Sequence, residues 1–262
     1  MTTSTTGTGT AVDTQALETK VKQMYRAVAR DPSGPFHFEL GRDLALRLGY
    51  EPDRLDRVPA GAVDSFAGVG YYFDLLAPAA GEHLLDLGSG SGMDVFYGAD
   101  AVGPTGRVTG VDFTPEQLAK ARGLAEEHGF DNVEFREGRI EQVPLADGSA
   151  DGVISNGVIN LCPDKAAVFR EAARVLRPGG RLAIADIVTE VQLVDAIVCN
   201  ADLWAACIGG AAQEDAYVAA VEGAGLVVEE IRVNPYRFLS DQAQGATRKY
   251  GVKSISLLAS KP

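Results

Sequence analysis

Cysteine is scarce in this sequence, and its spacing excludes two classes of protein. Three cysteines occur in 262 residues and none lies in a Cys-x-x-Cys spacing, so neither a disulfide framework nor a metal site is expected. The longest apolar stretches fall short of the roughly 18 residues that a membrane span needs. The N-terminal residues show no basic segment followed by an apolar one, so a secretion signal is not expected. A cytoplasmic location is expected instead.

Positive charge is also in short supply. Lys and Arg total 24 against 36 Asp and Glu, which gives a formal net charge of −12, and no basic cluster carries interleaved aromatic residues. Nucleic acid and anionic membrane surfaces are therefore poor partners. A small-molecule substrate is the expected partner, and the sequence leaves the oligomeric state open.

Apolar residues are plentiful, at 46% of the chain, which is enough for one core in one elaborated domain. Strand-like and helix-like patterns alternate from about residue 81, which predicts an α/β fold with a mostly parallel, seven-stranded sheet and helices on both faces. An irregular segment without a helix before the last strand predicts that this strand is antiparallel. The expected strands lie near 83–88, 107–112, 132–137, 151–156, 181–187, 226–234 and 252–260, and the expected helices near 14–30, 39–49, 92–102, 115–128, 164–176 and 213–224.

Several segments stand outside this alternation. Residues 1–12 are rich in Thr and Gly and are expected to form a disordered tail, whereas 13–80 form an N-terminal helical segment ahead of a core at 81–262. Insertions at 190–211 and 235–251 interrupt the core. Since ligands bind beyond the carboxyl ends of the strands in open α/β sheets, these segments are expected to form a lid there. The alternative, plain packing helices, is at least as well supported for residues 13–30.

A glycine-rich turn at residues 84–94 is the most informative motif. An apolar run ends in Asp86 and is followed by Gly88, Gly90, Gly92 and a helix-like pattern. This strand, tight turn and helix N-terminus let a nucleotide-like cofactor lie against bare backbone. A methionine stands where the dinucleotide fingerprint needs a third small residue.

A second acidic strand end supports a nucleoside ligand. Asp112 closes the next expected strand, and a carboxylate there can accept both ribose hydroxyls. In the alternative, Asp112 is the N-cap of a helix whose start is predicted by Thr114, Pro115 and Glu116. Both roles are compatible, and the spacing favours the ribose.

An acidic strand end followed by Gly-x-Gly-x-Gly resembles the first motif of S-adenosylmethionine-dependent methyltransferases with a Rossmann-like fold. The resemblance covers about residues 39–234, and its further segments are 110–122, 137–155 and 160–188. Within this superfamily the chain most resembles the arsenite methyltransferase-like group, at 48–62, 155–161 and 203–211. The resemblance implies a Rossmann-like methyltransferase fold with S-adenosylmethionine as cofactor.

The same resemblance assigns residues to the cofactor. The glycine loop would contact its methionine part, Asp112 and Phe113 the ribose and adenine, and Asn156 and Val158 would lie under the sulfonium. Arg139 and Ile140 would form the adenine pocket with Glu141 behind them, although the Arg139 side chain can equally be solvated with only its backbone at the adenine. The full set is Asp86, Gly88, Ser89, Gly90, Gly92, Asp112, Phe113, Gln117, Arg139, Ile140, Asn156 and Val158.

The sequence departs from the arsenite group at its metal-binding thiols. That group binds As(III) through three cysteine thiolates, and Val69 and Gly157 stand at two of those positions, so only Cys207 matches. Cys199 lies too far along a helix from Cys207 to share one atom and is expected to be a small packing residue. Cys162 precedes Pro163, expected to be the first helical residue, so it either occupies a helix N-terminus or closes a turn.

Aromatic residues take the place of the thiols, which predicts an organic substrate. Phe36, Phe38, Trp204 and Cys207 are the expected substrate contacts, and ordinary core packing is an even alternative for each aromatic. His37 is the expected general base, with Tyr71 and Tyr72 as alternative proton acceptors.

The sequence therefore predicts methyl transfer to a small organic metabolite at O, N, S or C. Arsenite methylation with an altered thiol set is the alternative. A non-catalytic domain that binds the cofactor and serves a partner is the second alternative.

Overall fold

The computed structural model describes residues 13–198 and 208–262, which form an α/β fold around one sheet. Its strand order is β3-β2-β1-β4-β5-β8-β7, with the short β6 pairing β5. The first five strands of that order run parallel, and β8 is antiparallel to both of its neighbours, which confirms the predicted fold class. The strands are β1 His83–Leu87, β2 Arg107–Asp112, β3 Val133–Glu137, β4 Ala150–Asn156, β5 Leu176–Thr189, β6 Ala212–Gln213, β7 Val227–Val233 and β8 Lys253–Ser260.

Helices cover both faces of the sheet because alternate strand residues point to opposite sides. In β1, Leu84 belongs to one buried apolar cluster, whereas Leu85 and Leu87 belong to the other. The helices are α1 Thr14–Arg30, α2 Arg42–Leu48, α3 Pro52–Leu55, α4 Ala60–Asp64, α5 Phe73–Leu76, α6 Met93–Val102, α7 Pro115–His128, α8 Lys165–Val175, α9 Asp195–Val198, α10 Glu214–Gly223 and α11 Asp241–Tyr250, with a 3₁₀ turn at Ile159–Leu161.

The segment before the last strand corrects one prediction. Residues expected to be irregular form α11, which begins after the N-cap Ser240, whose hydroxyl accepts the Ala243 amide. The helix is mostly polar and carries Gly245, so its apolar stripe is weak in the sequence and consists of Ala243, Ala246 and Tyr250. It buries only small or terminal residues, among them Ala246 and Tyr250.

Two other boundaries differ from expectation. Strand β5 begins at Leu176 rather than 181. It therefore contains a Pro-Gly-Gly stretch, a sequence that is typical of a turn. Helix α8 begins at Lys165, because the Asp164 carboxylate accepts the Ala167 amide as an N-cap. Cys162 therefore lies beyond the 3₁₀ turn, before the N-cap, rather than at the N-terminus of α8.

The inner position of β8 matters for the site. Strand β8 lies between β5 and β7. The Ser254 hydroxyl donates to the Val69 carbonyl at 2.6 Å, and the Ser256 hydroxyl donates to the Tyr71 carbonyl at 2.8 Å. The sheet thus fixes the segment that precedes α5.

The N-terminal segment and the insertions are only partly described. Helix α1 buries Leu17, Val21 and Val28 and contacts α7. The expected tail at 1–12 lies outside the described residues, as does part of the 190–211 insertion. Among the described helices, none combines the length and apolar character required to traverse a bilayer.

Candidate active site

A cavity of about 400 Å³ lies at the carboxyl ends of β1, β2 and β4, and α1 forms one of its walls. Parallel strands bring the residues that follow each of them to one edge of the sheet, which is where ligands bind in open α/β folds. All residues assigned to the cofactor from the sequence line this cavity except Gly92. Gly92 is the N-cap of α6, and a Cβ there would lie 2.7 Å from the Phe135 ring. Glycine is therefore required at this position by packing against Phe135 rather than by the cavity.

The turn after β1 places bare backbone at the cavity. Gly88 and Gly90 have φ of +78° and +52°, in the left-handed region that disfavours side chains. A Cβ at Gly88 would lie 2.5 Å from the Val158 side chain, whereas one at Gly90 would have only the Gln117 amide oxygen, at 3.8 Å, within 4 Å. A side chain at Gly90 would therefore occupy cavity space rather than strike the protein.

Asp112 is fixed by the backbone of two loops. Its carboxylate accepts the Gly90 amide at 2.9 Å and the Thr114 amide at 2.8 Å. Burial raises the pKa of Asp112, while these amide donors act to lower it. The residue thus caps the turn before α7 and lines the cavity, so the two roles considered from the sequence are compatible in space.

Two further buried carboxylates, Asp86 and Asp94, line the cavity. Burial raises the pKa of both, and the negative charge of Asp94 raises that of Asp86 further. Asp94 accepts the Tyr50 hydroxyl at 2.6 Å and the Tyr72 hydroxyl at 2.8 Å. These hydrogen bonds favour the charged form of Asp94 against the cost of its burial.

Asn156, at the end of β4, ties the N-terminal segment to the sheet. Its side-chain oxygen accepts the Val69 amide at 2.7 Å, and its side-chain nitrogen donates to the Gly70 carbonyl at 3.0 Å and to Asp94 at 3.1 Å. A Cβ at Gly68 would approach the Asn156 side chain to 2.7 Å. Asn156 therefore holds the 68–70 segment and Asp94 together at the cavity.

Helix α1 contacts the residues expected to surround the nucleoside. Glu18 forms an ion pair with Arg139 at 2.8 Å, and the Lys22 ammonium lies 4.9 Å from the centre of the Phe113 ring. The Gln117 side chain donates to the backbone carbonyl of Tyr25 at 2.8 Å. The exposed Arg139 side chain thus has a partner of its own on α1.

Val69 and Gly157, which the resemblance places at thiol positions of the arsenite group, lie close together in space. A Cβ at Gly157 would lie 3.2 Å from the Val69 side chain, and Val69 is only 2% exposed. The space between the two positions is therefore filled by valine methyl groups. Gly157 also has φ of +70°, which disfavours a side chain at this point.

Of the residues expected to act on the substrate, Phe36, His37 and Phe38 do not line this cavity. His37 and Phe38 line a small separate pocket with Tyr236 and Phe238. The Phe36 and Phe38 rings stack 5.6 Å apart, with Phe38 placed 6.3 Å from the Tyr25 ring that lines the cavity. These side chains lie one layer behind the wall.

The tyrosines expected as proton acceptors have other contacts. Tyr72 is fully buried and donates to Asp94, and burial raises its pKa well above the ordinary value, so its phenol stays protonated. The half-buried Tyr71 has its hydroxyl 3.5 Å from that of Tyr97 and lies outside the cavity lining. Trp204, Cys199 and Cys207 lie outside the described residues.

Cys162 does line the cavity, beside Ile140 and Glu141. Burial raises the pKa of its thiol to about 12, and the nearby Glu141 carboxylate adds to the shift. The thiol is therefore protonated near neutral pH. Within residues 13–198 and 208–262, no three His, Cys, Asp or Glu side chains are grouped so as to hold a metal ion.

Sequence reasoning missed Tyr50, Asp94 and the wall that Leu17, Val21 and Tyr25 of α1 contribute. Asp94 carried little signal, because an acidic residue in the first turn of a helix is favoured by the helix dipole whatever else it contacts. Tyr50 carried none, since its partner lies 44 residues further along the chain.

Comparison with known proteins identifies the family. A methyltransferase domain family matches residues 78–225. An arsenite methyltransferase of Halobacterium salinarum is 44% identical over 197 residues, covering 74% of this chain and 50% of that protein. The crystal structure of an arsenic(III) S-adenosylmethionine methyltransferase from Chlamydomonas reinhardtii is 30% identical, with a TM-score of 0.64, and the match covers 85% of this chain and 74% of that one.

A third match shows how much of the fold is shared. The geranyl diphosphate C-methyltransferase of Streptomyces coelicolor has a TM-score of 0.68 at 18% identity, covering 96% of this chain and 100% of that one. The chain spans half or less of the length of two curated arsenite methyltransferases that it matches, those of Halobacterium salinarum and Aquipseudomonas alcaligenes.

The chain therefore belongs to the methyltransferase domain family, in the class of S-adenosylmethionine-dependent methyltransferases with a Rossmann-like fold. The cofactor expected from the glycine motif is the one this class uses.

Proposed function

We propose that this protein transfers the methyl group of S-adenosylmethionine to a small organic acceptor. The observation that carries the choice of acceptor is the contact between Val69 and Gly157. Three thiolates must converge on one atom to hold As(III), and two of the corresponding positions here are filled by apolar or bare groups.

The residues present fit the cofactor. Gly90 leaves space that a Cβ would fill, and Asp112 presents a carboxylate at the cavity. Phe113 and Ile140 provide the apolar slot that an adenine ring requires. Asp86 and Asp94 supply negative charge for a ligand that carries positive charge.

When bound, the cofactor supplies an electrophilic methyl group: the acceptor's lone pair forms the new bond as the methyl–sulfur bond breaks, and that electron pair stays on sulfur. The chain contributes alignment and exclusion of water, since α1 and residues 65–68 form walls of the cavity. Alignment of this kind contributes up to about 7–11 kcal/mol in favourable cases.

A proton-bearing acceptor must also lose its proton. The described wall offers carboxylates, including Glu18, Glu141 and Asp164, and no histidine. An acceptor that is nucleophilic without deprotonation, or that passes its proton to one of these carboxylates, suits this wall best. The roles of His37, Tyr71 and Tyr72 as bases are thus not part of the proposal.

Arsenite methylation is the second candidate. The identity of 44% to the Halobacterium salinarum enzyme favours it, and Cys162 places one thiol on the cavity wall. A thiol with a pKa of about 12 is a poor ligand, because the thiolate is the form that binds.

Methyl-labelled S-adenosylmethionine, incubated with the protein and a panel of organic acceptors, tests the proposal. As(III) with and without glutathione belongs in the same panel. We expect label in an organic product and none in arsenic species. Efficient As(III) methylation that disappears in Cys207→Ser would overturn the choice of acceptor.

A non-catalytic role has a different signature. Slow formation of S-adenosylhomocysteine without any acceptor is expected of an enzyme and not of a binding module. The Gly90→Val variant is the control, because it should abolish this background reaction.

A further inference from the structure

Asp86 and Asp94 are buried carboxylates without a protein cation beside them. They are 2% and 5% exposed, and both line the cavity. Within the described part of the chain, no Lys, Arg or His forms an ion pair with either, and no donor forms a hydrogen bond with the Asp86 carboxylate. Burial raises the pKa of both carboxylates, and the charge of Asp94 raises that of Asp86 further, so holding both ionised at one cavity wall is costly unless a ligand brings positive charge.

Asp94 differs from Asp86 in being held rigidly. Tyr50 and Tyr72 donate to its two oxygens, at 2.6 and 2.8 Å, and Asn156 donates at 3.1 Å. All three donors are neutral, so they fix the carboxylate and favour its ionised form without cancelling its charge. The N-terminal segment supplies both tyrosines, which makes this segment part of the charge site.

A second buried aspartate shows what a satisfied arrangement looks like in the same protein. Asp186 is 1% exposed and accepts the Tyr217 hydroxyl at 2.7 Å, as Asp94 accepts Tyr72. The largely buried Lys165 acts electrostatically on Asp186, and neither Asp186 nor Lys165 lines the cavity. Asp94 has the tyrosine partners without the lysine.

We infer that Asp94, positioned by Tyr50 and Tyr72, is the residue that selects the sulfonium form of the cofactor over its neutral-sulfur product. This inference rests on the proposed function. Asn156, which the resemblance places under the sulfonium, contacts Asp94 directly. Asp86 is then left to bind the ammonium group of the methionine part, which cofactor and product share.

This assignment has a consequence for turnover. Methyl transfer removes the positive charge from sulfur, so the attraction to Asp94 falls at the moment the product forms. Asp94 then contributes less to the affinity of the product than to that of the cofactor, which favours product release.

The test is a comparison of affinities. Dissociation constants for S-adenosylmethionine, S-adenosylhomocysteine and sinefungin, which carries a protonated amine in place of the methyl sulfonium, are measured by calorimetry. For Asp94→Asn we expect the two charged ligands to weaken by about tenfold or more and S-adenosylhomocysteine to change by less than about threefold. Tyr50→Phe and Tyr72→Phe should shift the same ratio in the same direction by a smaller factor.

Asp186→Asn is the matched control, because it neutralises a buried, tyrosine-bonded carboxylate outside the cavity. It should leave all three dissociation constants unchanged. Equal weakening of all three ligands by Asp94→Asn would overturn the inference, since Asp94 would then serve a group that cofactor and product share. Unchanged affinities would overturn it too.

The inference and the proposed function fail in distinguishable ways. If the role assigned to Asp94 is wrong, the wild-type protein still binds S-adenosylmethionine and transfers methyl groups. Wild-type protein that binds none of the three ligands would instead remove the cofactor and the proposed function together. If Asp94→Asn does not fold, the two tyrosine variants carry the same comparison.

Discussion

The Arg139 guanidinium lies 2.8 Å from the Glu18 carboxylate, which joins the loop after β3 to helix α1 across 121 residues of sequence. The Arg139 side chain is 53% exposed and that of Glu18 32% exposed. Three more contacts between α1 and α7 accompany the pair, from Arg26 to Glu116, from Gln117 to Tyr25 and from Lys120 to Ala29. Helix α1 is therefore held over the cavity by contacts spread along its length.

Replacing Glu18 by Gln should loosen this attachment only slightly. An exposed ion pair contributes about 0–1 kcal/mol, so we expect the cofactor's dissociation rate to rise by less than about fivefold. Stopped-flow measurements at low and high salt give the rate, and the difference between variant and wild type should shrink as salt rises. A difference that persists at high salt would show that the pair does not act through charge.

Asp112→Ala should weaken S-adenosylmethionine by about 1–3 kcal/mol, because the ribose hydroxyls lose a charged acceptor. The change also frees the Gly90 and Thr114 amides, so the loop itself loses order. Calorimetry gives the affinity, and thermal unfolding of the free protein separates the structural part. An unchanged affinity would remove Asp112 from the ribose site.

Gly90→Val should abolish cofactor binding while the protein still folds. A side chain there points into open cavity space, although the left-handed φ of +52° adds a strain of about 1–2 kcal/mol. Gly123→Ala on α7 is the control, since a Cβ at Gly123 has no neighbour within 4 Å. Binding that survives in Gly90→Val would mean that the loop is only a turn.

Asp186 should impose a pH dependence on stability. Burial raises its pKa from 3.8 to about 6, against the opposing hydrogen bond from Tyr217. The folded state holds the carboxyl proton of Asp186 more tightly than the unfolded state does. The stabilisation of the folded state by protonated Asp186 is therefore present below about pH 4 and is lost as pH rises through about 6.

The measurement is the free energy of unfolding of wild type and Asp186→Asn across that range. The free energy of unfolding of wild type minus that of the variant should fall as pH rises from about 4 to about 6. An advantage that grows with pH would show that Asp186 is stabilised in its charged form.

Most of the fold was predictable because its signals are local. Strand β2 and helices α1 and α7 begin and end at the predicted residues, since apolar periodicity and Pro115 mark them within a few positions. Helix α11 was missed because it buries little apolar surface, so its stability comes from capping and from contacts the sequence does not show.

The site divides in the same way. The glycine turn directly follows β1 and Asp112 ends β2, so their positions at one edge of the sheet follow from topology. The Tyr50–Asp94 hydrogen bond and the Val69–Gly157 contact join residues far apart in sequence. The aromatic residues near His37 were expected at the substrate, yet aromatic content alone cannot tell a cavity wall from the layer behind it.

The inner place of β8 has a consequence for how the protein is made. A growing chain can pair β1 to β5 as they emerge, but β7 has no neighbour in the sheet until β8 follows it. The serines that fix the 69–71 segment also arrive with β8. On the ribosome, the 69–71 segment therefore cannot be anchored to the sheet until residue 256 has left the exit tunnel, and until then the edges of β5 and β7 that will pair with β8 are open to other chains.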